Sequence, residues 1–381
     1  RENAIFMHLT LIPYIAAAGE LKTKPTQHSV RELMQIGIPP HILVCRTEHP
    51  LDDEIRNKIA LFTNVPLDGV VEARDVETIY QVPIELKRQR LDDTVLRMLG
   101  MEAPEPDLGP WRKMVNTIKT PGGGEVRIAV VGKYTELVDS YKSVQEALLH
   151  GGIASDVKVE IDWLSSEQFD ATTVDKLDRY QGLLIPGGFG PRGIEGMLTA
   201  IRYAREQEIP FLGICLGLQC AVIEYARNVV NLPGSDSYEF KEDASTAVVG
   251  LMDSQMKVTN KGGTMRLGAY PASLKPGSRA AEIYGTTEIS ERHRHRFEVN
   301  NDFRPQLEEH GMLISGTSPD GQLVEMVELP EHPFFVAGQF HPELKSRPMR
   351  PAPLFAAFIE AAVARAQLTH PSQVQPIAAG D

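Results

Sequence analysis

The sequence predicts an α/β protein with two units, each built on a mostly parallel sheet. Short apolar runs alternate with amphipathic helical segments in two separate series, which is the pattern of consecutive βαβ units. A stretch rich in proline and glycine separates the two series. The chain has 381 residues, of which 42% are apolar, and this is enough to fill more than one core.

The first series predicts a first domain at 1–110. The segment "AIFMHLTLI" (4–12) is apolar almost throughout, which favours a buried strand. Further strands are expected at 41–46 and 69–73, and helices at 26–37, 52–65 and 83–99. A linker at 111–124 follows, with a helix near Trp111–Lys119 and "TPGGG" at its end.

The second series predicts a second domain at 125–368. Strands are expected at 126–131, 157–164, 182–186 and 210–214, and helices at 140–152, 174–180, 193–207, 216–227 and 353–367. Several segments after residue 245, such as "RFEVNN" and "FFVAGQF", are also typical of strands. A tail at 369–381, rich in Pro, Gln and Ala, is expected to be disordered.

The composition excludes several classes of function. The net charge is −12 and the isoelectric point is near 5.5, so nothing favours nucleic acid as a partner. No apolar stretch reaches the roughly 20 residues that span a bilayer, and no secretory signal is recognisable. Three cysteines without framework spacing are typical of a reducing compartment, so a cytoplasmic protein is expected. Because the chain starts without Met and close to a predicted strand, we also expect a missing upstream portion.

The segment "PFLGICLGLQ" (210–219) carries the first candidate catalytic residue. An apolar strand runs into Cys215, which lies between Gly213 and Gly217, and a helix follows. This is the arrangement of the nucleophile elbow in G-x-S-x-G hydrolases, and glycine removes the Cβ atoms that would collide at the bend. A helix N-terminus also favours thiolate over thiol. From this segment alone, a catalytic nucleophile and a buried structural cysteine both stay open.

The segment "FVAGQFHPE" (335–343) offers the acid–base partner that such a nucleophile needs. His341 and Glu343 are two positions apart in an extended segment, so both side chains point the same way, and Pro342 keeps His341 extended. A surface turn is the ordinary meaning of His-Pro-Glu. Placed after a strand, in one chain with the cysteine elbow, it indicates a Cys-His-Glu triad.

A glycine-rich turn follows the predicted strand in "LLIPGGFGPRG" (183–193). The turn is not a G-x-x-x-x-G-K-[ST] phosphate loop, and it does not open a βαβ unit at the start of the chain. We expect instead that a backbone N–H near Gly188, together with that of Leu216, receives the oxyanion of a tetrahedral intermediate.

These motifs together resemble the triad-type glutamine amidotransferases, and over nearly the whole chain the sequence is similar to the CTP synthase family. The stretches that carry the resemblance are "LKTKPTQHSVREL", "YKSVQEALLHGG", "IPGGFGPRG", "GICLGLQ", "GGTMRLG" and "ERHRHRFEVNN". The resemblance implies the second half of a P-loop-type parallel α/β synthetase domain, followed by a doubly wound, flavodoxin-like class I glutamine amidotransferase domain. It also implies a homotetrameric enzyme that uses ATP to aminate UTP to CTP with ammonia that passes from the glutamine site.

The resemblance also assigns roles in the glutamine site. It implies that Cys215 forms a γ-glutamyl thioester, that His341 protonates the leaving ammonia and later activates water, and that Glu343 orients His341. The residues implied to line the site are Gly188, Leu216, Gly217, Leu218 and Gln219. Glu239 is implied to hold the substrate ammonium and Arg296 the carboxylate, to which a guanidinium can bind bidentately. Without the resemblance, "ERHRHR" is read as a solvated basic surface or as a metal pair from His293 and His295.

Nucleotide binding is implied for the first domain. The resemblance assigns contacts with the triphosphate of UTP, or of CTP as an inhibitor, to Lys22, Thr23, Lys24, Pro25, Thr26, Gln27 and Lys58. It assigns contacts with the ATP base to Arg74, Asp75 and Val76. Taken alone, "KTK" is more typical of a solvated loop.

The sequence departs from the family pattern in two places. It contains no phosphate-binding loop, so that loop and the Mg²⁺ ligands are expected upstream of Arg1, and this polypeptide by itself is expected to be at best a glutaminase. The segment between "VVGLMDS" and "GGTMRLG" is also short for the lid loop through which GTP activates the family, so no residue is assigned to GTP.

Three other interpretations stay open. An amidotransferase with a different acceptor would share the triad but would lack "KTKPTQHSV". A free-standing cysteine hydrolase would not need the first 120 residues. A truncated regulatory or polymer-forming subunit would have no turnover, although the complete triad motif argues against such decay.

Overall fold

The computed structural model describes residues 3–241, 243–251 and 265–369, and the chain divides into two compact units, Arg1–Lys119 and Thr120–Asp381. Both units are α/β and contain parallel strands, which confirms the predicted fold class. Of the predicted tail, only Thr369 lies within the described residues, and it ends the last helix. Residues 252–264, where the lid loop was expected, lie outside the described residues.

The first unit contains a three-stranded parallel sheet and a small hairpin. Its strands are β1 (Met7–Leu11), β2 (Tyr14–Ile15), β3 (Glu20–Leu21), β4 (Ile42–Thr47) and β5 (Val70–Arg74). Its helices are α1 (Lys24–Gln35), α2 (Asp53–Thr63), α3 (Val82–Arg88), α4 (Leu91–Leu99) and α5 (Gly109–Lys119). The parallel sheet has the order β1-β4-β5, and β2 pairs with β3. Successive residues of β4 enter two different cores, because side chains alternate across a sheet.

Two expectations for the first unit are wrong in detail. The single helix predicted at 83–99 is two helices, because Arg90 adopts a left-handed conformation with φ of 59° between α3 and α4. The strand predicted at 4–12 is not fully buried. Met7, Leu9 and Leu11 are 47%, 63% and 61% exposed, because they share one face of β1 that no described element covers.

The described residues of the second unit form twelve strands, nine of which belong to one large sheet. Its strands are β6 (Glu125–Gly132), β7 (Lys158–Ser165), β8 (Gly182–Ile185), β9 (Phe211–Ile214), β10 (Ser235–Ser237), β11 (Thr246–Leu251), β12 (Arg266–Leu274), β13 (Glu288–His295), β14 (Phe297–Val299), β15 (Leu313–Thr317), β16 (Val324–Glu328) and β17 (Phe335–Gly338). Its helices are α6 (Lys142–Ala154), α7 (Ile194–Glu206), α8 (Leu216–Asn228), α9 (Arg279–Tyr284), α10 (Arg304–Glu309) and α11 (Pro353–Thr369). The helix predicted at 174–180 is a 3₁₀ helix, Val174–Arg179.

The order of the large sheet brings the candidate catalytic motifs of the sequence to one edge. The order is β13-β12-β15-β16-β17-β9-β8-β6-β7, with parallel pairing from β17 to β7 and antiparallel pairing in the remainder. Separate apolar cores cover the two faces of this sheet. Strands β17, β9, β8 and β6 are parallel neighbours, so the segments that leave their carboxyl ends meet at the same edge. None of the helices described in either unit is long and apolar enough to cross a membrane.

Candidate active site

Cys215 lies in a strained bend between β9 and α8. Its φ of 54° and ψ of −98° are unusual for a residue with a side chain, and its backbone N–H donates to Gly338 O on β17 at 2.7 Å. Neither flanking glycine has room for a side chain. A Cβ at Gly213 would lie 2.8 Å from the Cβ of Ala337, and one at Gly217 would lie 2.3 Å from Ile185 O. The bend is therefore packed so that only the sulfur projects from it at the carboxyl edge of the sheet.

His341 connects the sulfur to a carboxylate. Its Nδ1 lies 2.7 Å from Oε1 of Glu343, and the side chain of Cys215 is close enough to the ring to raise the pKa of His341. Because Nδ1 is engaged by Glu343, Nε2 is the ring nitrogen that remains for the sulfur. The backbone N–H of His341 donates to Arg292 O at 2.7 Å, which fixes where the ring enters the site. Cys215, His341 and Glu343 are thus brought together at one site.

The electrostatics of His341 favour the imidazolium. Burial lowers the pKa of His341, but the hydrogen bonds with Cys215 and Glu343 outweigh burial and raise it to about 10. Glu343 is itself only 7% exposed, so its charge acts on the ring with little screening by water. A ring held in the protonated form is prepared to give a proton to a departing amine.

Two buried amides touch this site, Gln339 just after β17 and Gln219 in the first turn of α8, and only Gln219 was expected there from the sequence. Gln339 donates from Nε2 to Sγ of Cys215 at 3.8 Å, and its Oε1 accepts from Nε2 of Gln219 at 3.4 Å. Gln219 also donates to Phe297 O at 3.2 Å. The available signal for Gln339 was its position at the end of β17, beside the strand that leads to Cys215.

The glycine-rich turn lies against the imidazole of His341 and the start of α8. A Cβ at Gly187 would lie 2.7 Å from Cε1 of His341, and one at Gly188 would lie 3.0 Å from Cδ2 of Leu216. The turn therefore packs directly against both the imidazole and the first residue of α8. The N–H groups in the first turn of a helix have no acceptor within that helix.

A cavity of about 510 Å³ opens at Cys215. It is lined by five of the predicted site residues: Gly188, Cys215, Gln219, Glu239 and Arg296. Its other lining residues are Phe189, Tyr238, Met265, Arg294, His295 and Phe297. Gly217 and Leu218 are not among the lining residues of this cavity; Leu218 enters the apolar core, and Gly217 packs against Ile185. Leu216 is also buried in that core.

The cavity carries opposite charges that suit an amino acid. Glu239 accepts from the backbone N–H of Gly190 at 2.8 Å. Burial raises the pKa of Glu239, and the charges of Lys133 and Arg296 oppose that rise. A carboxylate and a guanidinium on one cavity provide sites for the ammonium and carboxylate of an α-amino acid.

The strand β13 decides between the interpretations of "ERHRHR". Arg292 and Arg294 are exposed, while His293 and His295 are buried on the opposite face, as strand alternation requires. Nδ1 of His293 lies 2.9 Å from Nε2 of His295, so the two rings pair with each other. Within the described ranges, no group of three His, Cys, Asp or Glu side chains is arranged to hold a metal ion. We therefore assign no Mg²⁺ ligand to these residues and derive no step through Mg²⁺.

The residues implied to bind nucleotides lie near the carboxyl edge of the first unit's sheet. Lys22 forms an ion pair with Glu20 beside the start of α1, and Lys24 and Pro25 are exposed in its first turn. Lys58 is exposed on α2, and its charge contributes to a lowered pKa of Glu20, for which Lys22 is the main cause. Asp75, just after β5, accepts from Arg46 at 2.6 Å, and its N–H donates to Thr47 O at 3.1 Å.

Three of these predicted residues have mainly structural contacts. Thr26 is buried, and its hydroxyl contacts Thr10 Oγ1 at 2.5 Å and donates to Leu11 O at 3.0 Å, so that hydroxyl is committed to packing α1 on β1. Thr23 is buried and accepts from Gln27 Nε2 at 3.2 Å.

The first unit contains a cavity of about 450 Å³, and Pro25 is the one predicted nucleotide-binding residue among its lining residues. Arg46, which the sequence analysis did not single out, also lines it. The only sequence signal for Arg46 was its position at the carboxyl end of the predicted strand 41–46.

Comparison with known proteins defines the class of this site. Residues 136–361 match the family model described as glutamine amidotransferase class-I, so the second unit is a class I glutamine amidotransferase domain. Residues 1–101 match the model described as CTP synthase N-terminus. With both matches in one chain, the chain belongs to the CTP synthase family, which confirms the resemblance, and it is a glutamine-hydrolysing ligase.

Individual relatives agree with this assignment. The chain is 54% identical over 362 residues to the CTP synthase of Geotalea uraniireducens and 52% identical over 370 residues to that of Methanocaldococcus jannaschii. Each match covers 95% of this chain and 68% of the relative. A solved structure, the glutaminase domain of Trypanosoma brucei CTPS with bound acivicin, is 40% identical with a TM-score of 0.60, covering 63% of this chain and 94% of that chain.

Proposed function

We propose that this protein forms CTP from UTP, with ATP as the energy source and with ammonia that a Cys215–His341–Glu343 triad releases from glutamine. The observation that carries the proposal is the imidazole of His341, hydrogen-bonded to Glu343 and influenced by the Cys215 side chain, beside a cavity that Cys215, Glu239 and Arg296 line. A buried structural cysteine would not need an imidazole and a carboxylate aligned with its sulfur.

The first step is attack of the Cys215 thiolate on the side-chain amide carbon of glutamine. The carbonyl oxygen becomes an oxyanion that accepts hydrogen bonds from N–H groups of the Gly188 turn and of Leu216. The tetrahedral intermediate collapses as the protonated ring of His341 gives its proton to the leaving nitrogen. The products are ammonia and a γ-glutamyl thioester on Cys215, so the atoms and charges balance.

The second step regenerates the thiol. Neutral His341 takes a proton from water, the hydroxide attacks the thioester carbon, and glutamate leaves as the sulfur is released. Glu343 stabilises the imidazolium in both steps, since its Oε1 remains bonded to Nδ1. Gln339 supplies a second polar contact to the sulfur, and that contact fixes the direction of Sγ within the bend.

Substrate recognition depends on the two charged groups of the cavity wall. Glu239 accepts from the α-ammonium of glutamine, and Arg296 donates to its α-carboxylate. Both charges of the substrate are then paired, and only the side-chain amide extends toward Cys215. An amide without the α-amino acid head would lose both interactions, which explains how the site prefers free glutamine to other amides.

The acceptor chemistry is proposed for the first unit. ATP phosphorylates O4 of UTP, and ammonia attacks C4 and displaces phosphate to give CTP. We propose that Lys22, Lys24 and Lys58, with the N–H groups at the start of α1, bind the triphosphate of UTP or of CTP, and that Arg74, Asp75 and Val76 border the ATP base. The family also supports a cytoplasmic homotetramer that GTP activates.

Transfer of isotope tests the proposed function. Purified protein of intact length, with the expected upstream portion, is incubated with glutamine labelled with ¹⁵N in the side-chain amide, together with ATP, UTP, GTP and Mg²⁺. We expect ¹⁵N in the 4-amino group of CTP by mass spectrometry, with one glutamate formed for each CTP. Labelled ammonia without CTP would reduce the proposal to a glutaminase, and absence of glutamate would reject the triad as well.

Replacing Arg296 with alanine is expected to raise the KM for glutamine by roughly 10- to 100-fold, because one charge of the substrate would lose its partner in the cavity. The kcat should change by less than about threefold, since Arg296 does not contact the reacting amide. Steady-state glutaminase kinetics measure both values. Arg202→Ala, on the exposed side of α7, is the matched control. A fall in kcat at unchanged KM would contradict the assignment.

A further inference from the structure

A buried lysine that the sequence analysis did not single out lies beside the glycine-rich turn. Lys133 directly follows β6, the neighbour of β8 in the parallel sheet, and it is only 5% exposed. Its Nζ donates to Phe189 O at 3.1 Å and also to Gly190 O. The carbons of its side chain pass the turn, since a Cβ at Gly188 would lie 3.6 Å from Cδ of Lys133.

The contacts of Lys133 hold one peptide group from one side while Glu239 holds it from the other. The carbonyl of Phe189 and the N–H of Gly190 belong to the same peptide unit. The carbonyl accepts from the Lys133 ammonium, and the N–H donates to Oε1 of Glu239 at 2.8 Å. Each bond is charge-assisted, and the peptide dipole points its positive end at the anion and its negative end at the cation.

We propose that Lys133 is a positioning residue for glutamine hydrolysis, which sets the orientation of the 189–190 peptide and thereby holds both the oxyanion-binding turn and Glu239 in place. The proposal rests on the proposed function of the cavity, because it assigns Lys133 an effect on the same glutamine site. Lys133 does not line the cavity, so it acts through the peptide and not on the substrate.

The charges around Lys133 and Glu239 agree with this assignment. Burial lowers the pKa of Lys133, and the nearby Cys220 and Glu239 oppose that effect while Arg192 adds to it. Glu239 in turn is stabilised as a carboxylate by Lys133 and Arg296. The Phe240 ring lies 5.6 Å from Nζ and shields the pair from water on one side. Without the Lys133 cation, Glu239 would keep only one of these two cationic neighbours.

The backbone of Lys133 is also hydrogen-bonded to neighbouring side chains at the carboxyl edge of the sheet. Its N–H donates to the hydroxyl of Tyr141 at 3.2 Å, and its carbonyl accepts from Nη2 of Arg192 at 2.7 Å. The lysine therefore has a fixed backbone from which to hold the turn. Since Gly190 has a φ of 75°, the turn itself favours glycine, and glycine gives the backbone little stiffness of its own.

The test compares two reagents that react with the Cys215 sulfur in different ways. The glutamine analogue 6-diazo-5-oxonorleucine carries the α-amino acid head and reacts through a polarised carbonyl, whereas iodoacetamide needs neither the Glu239 pocket nor the oxyanion hole. Second-order rate constants for Cys215 labelling are measured by peptide mass spectrometry in wild type, Lys133→Met, Glu239→Gln and the double variant. Lys176→Met, at an exposed lysine of the same unit, is the control.

For Lys133→Met, we expect labelling by the glutamine analogue to fall by roughly 10- to 100-fold, while labelling by iodoacetamide changes by less than about threefold. Because both side chains act on the same peptide, the double variant should lose much less than the product of the two single losses. Circular dichroism establishes that the variants fold. If Lys133→Met does not fold, Lys133→Gln, which keeps a donor but loses the charge, is used in the same comparison.

Three outcomes would overturn the proposal. These are labelling of folded Lys133→Met at the wild-type rate, equal losses with both reagents, and multiplicative losses in the double variant. Failure of the proposed function would look different, since wild-type Cys215 would then show no preference for the glutamine analogue over iodoacetamide.

Discussion

Cys215→Ala is expected to abolish glutamine hydrolysis, with a loss of roughly 10⁴-fold or more, because no other group at the site can form the thioester. The structure supports so large an effect, since the bend between β9 and α8 presents the Cys215 sulfur toward His341 and the cavity. Release of glutamate, followed with a coupled assay, measures the loss. In an enzyme of intact length, amination of UTP by added ammonia should be retained, because that reaction does not use the thioester.

Cys220→Ala is the matched control for this prediction. Cys220 lies on α8, the helix that follows Cys215, and is fully buried. Burial raises the pKa of its thiol to about 12, so Cys220 is an inert part of the core. Activity of the control should stay within about twofold of wild type. If Cys215→Ala also lost ammonia-dependent amination, Cys215 would have to be regarded as structural.

Glu343→Gln is expected to slow glutamine hydrolysis by roughly 10²- to 10⁴-fold while leaving the fold intact. The glutamine amide can still accept or donate at Nδ1 of His341, but it no longer stabilises the imidazolium, and its NH₂ group can select the wrong tautomer. Pre-steady-state release of ammonia measures thioester formation directly. Glu309→Gln, at an exposed carboxylate on α10, is the matched control.

The same variant has an expected pH signature. The hydrogen bonds with Cys215 and Glu343 raise the pKa of His341 to about 10 against the opposing effect of burial, so loss of the carboxylate charge lowers that pKa. Since ammonia release needs the protonated ring, the alkaline limb of the kcat profile should move to lower pH. A normal rate with an unmoved alkaline limb would exclude Glu343 from the triad.

The sequence allowed the second unit to be predicted more fully than the first. The motifs around Cys215 and His341 each follow an apolar strand, and parallel strands place such motifs at the same sheet edge. Local spacing could therefore indicate the triad. The contacts of Gln339 and Lys133 could not be predicted in this way, because they depend on which strands are neighbours in the sheet, and no local pattern encodes the order β17-β9-β8-β6.

In the first unit, prediction from the sequence failed for a different reason. Arg90 breaks the helix predicted at 83–99 through a left-handed backbone conformation, which periodicity of apolar residues does not indicate. Thr26 lies in the implied triphosphate motif, yet its hydroxyl is used between α1 and β1. A hydroxyl in a motif can bind a ligand or can hydrogen-bond to another element of the same protein, and only the tertiary contacts distinguish the two.

The pairing of β9 with β17, which are far apart in the sequence, determines when the site can form during translation. Cys215 is translated well before His341, and at about 5–20 residues per second the interval is roughly 6–25 seconds. During that time the nascent thiol has no imidazole beside it, because the strand that delivers the imidazole does not yet exist. Hydrolytic competence therefore arises only after β17 and the segment that carries His341 and Glu343 have been synthesised.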